Sequence, residues 1–501
     1  MVAPGHDAGP PSERSLSGLG AVAFLLFLIA GLAAGVALRH GPEASAPAQR
    51  EAAADAAAKA NVVVVMTDDQ TLQQMSALPR TRKLIGTQGA KFKRFYITDP
   101  LCCPSRATFL TGQYAHNTGV ISNGGPNALA ALQESDTLGV WLQQAGYRTA
   151  FVGKYLNDYG VGDPKHVPPG WSEWRALLEP TTQNYFDYDI NQDGVVTHYG
   201  TAPEDYKTRV LGHLAVDAVR HAARGSRPFF LYVGFNAPHA PSTPAPRDAG
   251  TLAGVAAPRT PAFDEPDISD KPSFLRDRPP LDANALARID ARNQRALESL
   301  AEVDRQIGRI VDELRAKGEL GNTYILFTSD NGYLDGEHRI EFGKLLAYEP
   351  ASHVPLLVRG PGIPAGETSR ALVGNIDLAP TIAQIAAAEP TVEVDGNSLL
   401  TLARNPDHST DRALLIESLV RDRSTYYGYP YVAIRHGHFL YVRYETGDEE
   451  LYNLVTDPYE LDSLASKPKY AEKKHALAAA LARLRDCKGQ SCEVIPRATG
   501  G

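Results

Sequence analysis

The sequence predicts an α/β fold in which a large sheet is layered with helices, and a smaller α+β subdomain toward the C-terminus. Three observations carry this expectation. Short runs of β-branched and other apolar residues, typical of strands buried on both faces, recur along the chain, and each stops at charged or amide side chains. An amphipathic stretch precedes one of these runs, as in alternating helix and strand units. From Val394 the composition shifts to turn residues, and shorter strand-like segments follow.

A chain of 501 residues can bury a large core, and its 43% hydrophobic and 22% charged residues are ordinary for a globular protein. The formal net charge of -8 argues against nucleic acid as a partner, while leaving room for a local basic pocket. From Ser15 to Leu38 there is no charged residue, and Gly20 to Leu38 approaches the roughly 20 apolar residues of a membrane span. Ala44-Ser45-Ala46 offers an A-x-A cleavage site. The expectation is an exported protein, secreted after cleavage or anchored at the outer face of the membrane through residues 15–38. Cys487 and Cys492 can close a small disulfide loop in an oxidising compartment.

Taken in order, Asn61 to Met66 reads as a buried strand and ends in Asp68 and Asp69. A helix cap explains one such carboxylate; two beside a core call for positive charge, and a hard cation is an equal alternative. Tyr147 to Val152 runs into Gly153 and Lys154, and Pro228 to Phe235 runs into His239 between prolines. Ala296 to Lys317 has the three-or-four spacing of an amphipathic helix closing at Gly318, and Tyr324 to Thr328 follows as a strand ending in Asp330 and Asn331. If the strands are parallel neighbours, Asp68, Asp69, Asp330 and Asn331 converge at the edge where open α/β sheets place ligands. His338 and Lys344, in the loop-like stretch after Asp330, can reach the same edge.

Val354 to Pro364 reads as a strand and turn, Asn375 to Ala388 as a helix, and Asn236 to Pro280 as an irregular excursion. Asp187 to Gly194 superficially resembles a calcium loop but lacks its closing glutamate, so a hairpin turn is preferred. Tyr431 to Arg435 and Phe439 to Tyr444 form a hairpin, Glu450 to Leu454 a third strand, and Ala471 to Arg485 a helix.

Two adjacent cysteines, Cys102 and Cys103, precede Pro104, Ser105 and Arg106 at the start of an apolar segment. The helix start and Arg106 favour a thiolate there; a buried cysteine pair before a helix is the alternative. Together with Leu110-Thr111-Gly112, these residues resemble the C-x-P-S-R-x-x-x-L-T-G signature of the formylglycine-dependent sulfatases. The resemblance continues through Asp68-Asp69, Gly153-Lys154, Pro238-His239, Ser329 to Gly332, Lys344 and Glu450 to Leu454, spanning about Asn61 to Ala465. Gly153 to Gly160 and Pro355 to Ile363 are most similar to the N-acetylglucosamine-6-sulfatase branch.

This resemblance implies an alkaline-phosphatase-like three-layer sandwich around a large mixed sheet. It also implies oxidation of Cys102 to formylglycine by a formylglycine-generating enzyme, and a Ca2+ ion held by Asp68, Asp69, the modified Cys102, Asp330 and Asn331. Arg106 and Lys154 would hold the sulfate, and His239 or Lys344 would protonate the leaving oxygen. The implied substrate is a sulfated sugar or aryl sulfate ester, with the branch resemblance pointing to 6-O-sulfate on N-acetylglucosamine-containing glycans. The organisation then reads as a signal or anchor segment and linker over 1–60, a catalytic domain over 61–393, the α+β subdomain over 394–486 and a tail over 487–501. One departure stands out: Leu156 occupies the place, two residues after the lysine, where many sulfatases carry histidine. His338 and Asn157 are the candidates to replace it. The competing readings are a phosphate or phosphonate ester hydrolase on the same scaffold and a catalytically silent glycan-binding homologue.

Overall fold

The computed structural model describes residues 59–421 and 429–496; the apolar segment over 15–38 and the linker after it lie outside the described residues. Strand β1 (Asn61–Asp68) is buried along its whole length. Its side chains alternate between two cores, with Val62, Val64 and Met66 on one face and Val63 and Val65 on the other. That is why a continuous apolar run is needed here: both faces are covered.

Ten strands form the main sheet. After β1 come β2 (Ala90–Tyr96), β3 (Arg148–Gly153), β4 (Glu173–Leu177), β5 (Tyr188–Gln192), β6 (Val195–Tyr199) and β7 (Phe229–Pro238), then β8 (Thr323–Ser329), β9 (Leu356–Arg359) and β10 (Glu367–Gly374). The order is β10-β2-β9-β8-β1-β7-β3-β4-β5-β6. The centre, β8 through β4, is parallel, while β9 runs against both β8 and β2, and β5 and β6 form an antiparallel hairpin at one edge. The turn of that hairpin holds the stretch that superficially resembles a calcium loop.

Helices α1 (Cys102–Thr111), α2 (Leu138–Gln144) and α5 (Leu378–Ala386) cover one face; α3 (Lys207–Ala222) and α4 (Ala283–Ala316) cover the other. The amphipathic stretch read from Ala296 is the second half of α4, whose 34 residues begin at an Asp282 cap accepting from Ala285 N. The predicted helix over 375–388 is split: Asn375–Asp377 is a 3-10 turn and α5 follows it. Together these layers make the expected three-layer sandwich.

A second sheet, β11 (Ala413–Ser418), β12 (Tyr431–His436), β13 (Phe439–Tyr444) and β14 (Glu449–Asn453), is antiparallel throughout and packs with α6 (Ala471–Leu484) around a third core. Cys487 and Cys492 are joined by a disulfide just beyond α6. Among the described residues, no helix is long and apolar enough to cross a membrane.

Candidate active site

Parallel pairing sets β1 beside both β7 and β8, with β3 next to β7, so their C-terminal ends share one edge. β1 delivers Asp68 and Asp69, β8 delivers Asp330 and Asn331, β3 leads to Lys154 and β7 to His239. At the end of β3 the chain must bend tightly. Gly153 has φ +112, and a Cβ there would lie 2.0 Å from the carbonyl oxygen of Gly234. Only glycine allows that approach, and it lets Lys154 N donate to the same carbonyl at 2.8 Å. The lysine side chain is thereby turned toward β1.

Helix α1 begins at Cys102, and all ten of its residues are buried. The Sγ of Cys102 lies 3.6 Å from Asp68 Oδ1 and 3.0 Å from Lys344 Nζ. Arg106, one turn on, donates through Nε to Asp330 Oδ2 at 2.8 Å and through Nη1 to the Lys154 carbonyl at 2.6 Å. Its Nη2 is buried, 3.8 Å from Asp68 Oδ2, and has no hydrogen-bond acceptor. Lys154 Nζ donates to Asp68 Oδ2 at 2.5 Å, and Lys344 Nζ donates to Asp69 Oδ1. His239 Nε2 stands 3.7 Å from Asp69 Oδ2, and a ring nitrogen lies within 4.8 Å of both Cys102 Sγ and an Asp68 oxygen. Nine of the residues singled out by the sequence, Asp68, Asp69, Cys102, Arg106, Lys154, His239, Asp330, Asn331 and Lys344, therefore meet in one cluster.

Charge in the cluster is matched three against three: Asp68, Asp69 and Asp330 against Arg106, Lys154 and Lys344. Burial alone would raise the Asp68 carboxyl, but Lys154, His239 and Arg106 hold it well below the usual carboxylate range. Asp330 goes the other way, pushed up to about 6 by burial and the charge of Asp68, with Arg106 opposing. Burial also governs Cys102, whose thiol is pushed up to about 11 despite Lys154 and Lys344. The thiolate expected at a helix start is thus not favoured in this fold.

Oxygens of Asp68, Asp69 and Asp330 lie within 4.8 Å of one another. Asn331 Nδ2 is engaged, donating to Asp69 Oδ1 at 2.6 Å, whereas its Oδ1 is buried with no hydrogen-bond partner. Three carboxylates and an unsatisfied amide oxygen form a donor set suited to a hard cation such as calcium. An overlapping trio, Asp68, Cys102 and His239, adds a sulfur and a nitrogen and would suit a softer metal while residue 102 remains a thiol.

The two candidates for the absent histidine are placed differently. His338 is fully buried away from the carboxylates, with Nδ1 2.6 Å from Glu265 Oε2 and its ring 4.3 Å from Tyr348. Burial pushes it down to about 3. Asn157 N donates to Cys103 Sγ at 3.0 Å, and its Oδ1 is buried without a partner. Leu156 itself joins the hydrophobic core beside α1.

Other supporting residues were not read from the sequence. Asn375 Oδ1 accepts from Thr98 N at 3.0 Å and Thr98 Oγ1 at 2.9 Å, while Nδ2 donates to Ser105 Oγ at 3.2 Å. It thus ties the segment before Cys102 to α1. Asn123 Oδ1 accepts from Cys103 N at 2.9 Å, satisfying one free donor of the helix start. An asparagine ahead of an apolar run signals a cap, but nothing in its neighbours tells which distant segment it will bind.

Comparison with known proteins identifies the family and several relatives. Residues 60–388 match the sulfatase family, and residues 336–487 match the family described as N-sulphoglucosamine sulphohydrolase, C-terminal. The chain is 34% identical over 485 residues to an N-acetylglucosamine-6-sulfatase of Capra hircus, covering 88% of this chain and 86% of that protein. It is also 34% identical to an N-acetylglucosamine-6-sulfatase of Homo sapiens, covering 86% of this chain and 85% of the human protein. A solved structure in complex with its substrate D-glucosamine-2-N,6-O-disulfate is similar with a TM-score of 0.71 and 26% identity, covering 85% of this chain and 97% of that one.

Proposed function

The chain belongs to the sulfatase family and is a sulfatase-type hydrolase, and we propose that it hydrolyses 6-O-sulfate esters on N-acetylglucosamine-containing glycans. Formylglycine formed from Cys102 is the nucleophile-bearing residue in this reading, and Asp68, Asp69, the modified residue 102, Asp330 and Asn331 hold a calcium ion. The observation that carries it is the convergence of three carboxylates and an unsatisfied amide oxygen with Cys102 and three cations in one buried cluster. The relatives named above, with their printed activities on N-acetylglucosamine 6-sulfate, support the choice of ester.

When bound, calcium supplies positive charge at the sulfate and lowers the pKa of a hydroxyl beside it. A formylglycine at position 102, when hydrated, would supply that hydroxyl and a second one on the same carbon. The remaining work falls to side chains already in place. Arg106 Nη2, whose N–H groups have no acceptor, binds a sulfate oxygen. Lys154 and Lys344 offset the carboxylates and the incoming anion. His239 Nδ1 faces the Ala240 carbonyl at 2.8 Å, and a carbonyl can only accept. The proton on Nδ1 is therefore fixed, so Nε2 is the atom that exchanges a proton with the substrate; it gives one to the leaving sugar oxygen from the doubly protonated ring, a state that burial disfavours and the Asp68 and Asp69 carboxylates favour.

Export belongs to the same reading, supported by the Cys487–Cys492 disulfide. The deciding experiment is peptide mass spectrometry across Cys102 in protein from its native host, together with turnover of N-acetylglucosamine 6-sulfate, 4-nitrophenyl sulfate and 4-nitrophenyl phosphate. Formylglycine at residue 102 and faster sulfate than phosphate turnover are expected. Active protein carrying only the thiol, or faster phosphate turnover, overturns the proposal.

A further inference from the structure

We infer that Tyr185 is a positioning residue for leaving-group protonation, its hydroxyl fixing the loop that carries His239. The inference rests on the reading of His239 as the proton donor. The His239 ring is tied to its own loop through Nδ1 and the Ala240 carbonyl. Where that loop sits therefore decides where Nε2 points.

Backbone contacts fix the loop from several sides. Ser242 Oγ donates to the Pro238 carbonyl at 2.6 Å, Arg295 Nε to the Pro241 carbonyl at 3.3 Å, and Tyr206 OH to the Thr243 carbonyl at 2.8 Å. The carbonyl of His239 itself accepts from Ser242 N at 3.0 Å, a contact within the loop, and from Tyr185 OH at 2.8 Å. Among the described residues, Tyr185 is the side chain from outside the loop that holds the backbone of residue 239 directly.

Tyr185 is in turn held rigidly. It is 2% exposed, its ring stacks on Tyr206 at 6.0 Å, and its carbonyl accepts from Lys207 N at 2.9 Å. Lys207 Nζ, itself buried, lies 5.2 Å from the Tyr185 ring centroid and donates to the Thr182 carbonyl. A general acid needs its proton within hydrogen-bond reach of the departing oxygen, and small displacements cost rate steeply. Without the hydroxyl, the His239 carbonyl keeps only its bond from Ser242 N, while His239 N stays on the Asn236 carbonyl at 2.9 Å, and the peptide gains freedom to tilt.

Leaving groups separate positioning from mere structure. A sugar alkoxide needs a proton in order to leave; 4-nitrophenolate does not. His239→Ala is expected to lower turnover of N-acetylglucosamine 6-sulfate by about 100-fold and that of 4-nitrophenyl sulfate by much less. Tyr185→Phe should follow the same split, about 10-fold against less than about 2-fold. Tyr206→Phe, which frees a carbonyl four residues further on, should change both substrates alike. Should Tyr185→Phe not fold, Ser242→Ala, which releases the Pro238 carbonyl beside His239, is measured for the same split. Equal losses on both substrates in Tyr185→Phe, or in Ser242→Ala when it stands in, with the split present in His239→Ala, overturn the inference alone. If His239→Ala shows no split, the role given to His239 fails, and this inference with it.

Discussion

Lys154→Met removes one half of a fully buried ion pair in the site. Lys154 Nζ is 2.5 Å from Asp68 Oδ2, and both side chains are 0% exposed. With an effective dielectric of about 20, attraction over that distance is about 7 kcal/mol, and the 3.8 Å contact from Arg106 to the same oxygen adds about 4 kcal/mol. Desolvation of the charges cancels much of this, so breaking such a pair costs about 3–5 kcal/mol in practice. Because Arg106 still faces Asp68, the lower end, about 3 kcal/mol, is expected. In a protein of this size that lowers the melting temperature by about 3–4 °C. Sulfate ester turnover should fall by about 100- to 1,000-fold, the scale of losing one preorganised charge at the reacting anion. Scanning fluorimetry and steady-state kinetics read the two effects separately. Adding Asp68→Asn removes the stranded carboxylate, so the double variant should regain most of the stability and none of the activity. A single variant that melts with the wild type, or a double variant whose losses simply add, would refute the reasoning.

The remaining expectations concern the metal, the two cysteines and pH. With protein charges matched three against three, a divalent cation and an anion each neutralise what the other brings, so calcium and inorganic sulfate should raise the melting temperature of chelator-treated protein more together than the sum of their separate effects; strict additivity would contradict the cluster's role. Cys102→Ala should abolish turnover, whereas Cys103→Ala should retain most of it and lose about 1 kcal/mol, since Asn157 N loses its 3.0 Å acceptor; equal activity losses would mean the wrong sulfur was assigned. His116 lies 2.9 Å from Glu417 and 2.8 Å from the Cys487 carbonyl; burial disfavours its charge, yet Glu417 raises its pKa from 6.5 to about 9. A raised folded pKa gives stability that is complete below pH 6.5 and lost as pH rises through about 9. Denaturant midpoints should therefore fall across that window in the wild type and stay flatter in His116→Gln.

The strands that carry the site were legible because a strand buried on both faces has an unmistakable composition, as in the Val62 to Val65 run, and because charge at its end has few structural excuses. β2 was not read, since its exposed Lys91 and Lys93 interrupt the apolar signal. Environment decided the rest. Arg106 and the helix start suggest a thiolate at Cys102, but burial outweighs them. His338 has the chemistry of a catalyst, yet the chain folds it onto Glu265 and Tyr348. Cys103, which reads as a packing residue, also accepts a hydrogen bond from the chain beside Leu156. Such outcomes depend on contacts across tens to hundreds of residues, which periodicity does not encode.

The parallel pairing of β10 with β2 sets a timetable for synthesis. Cys102 follows β2 closely, but the strand that closes this side of the sheet is complete only at Gly374, about 270 residues later. At about 5–20 residues per second, a ribosome needs roughly 15–50 s to make that stretch. For the modification proposed at Cys102, this interval is one in which the peptide lacks the strand that closes its side of the sheet. Once β10 docks and α1 is enclosed, Cys102 is 0% exposed. The long separation between neighbouring strands thus acts as a clock, delaying closure around Cys102 until most of the chain has been made.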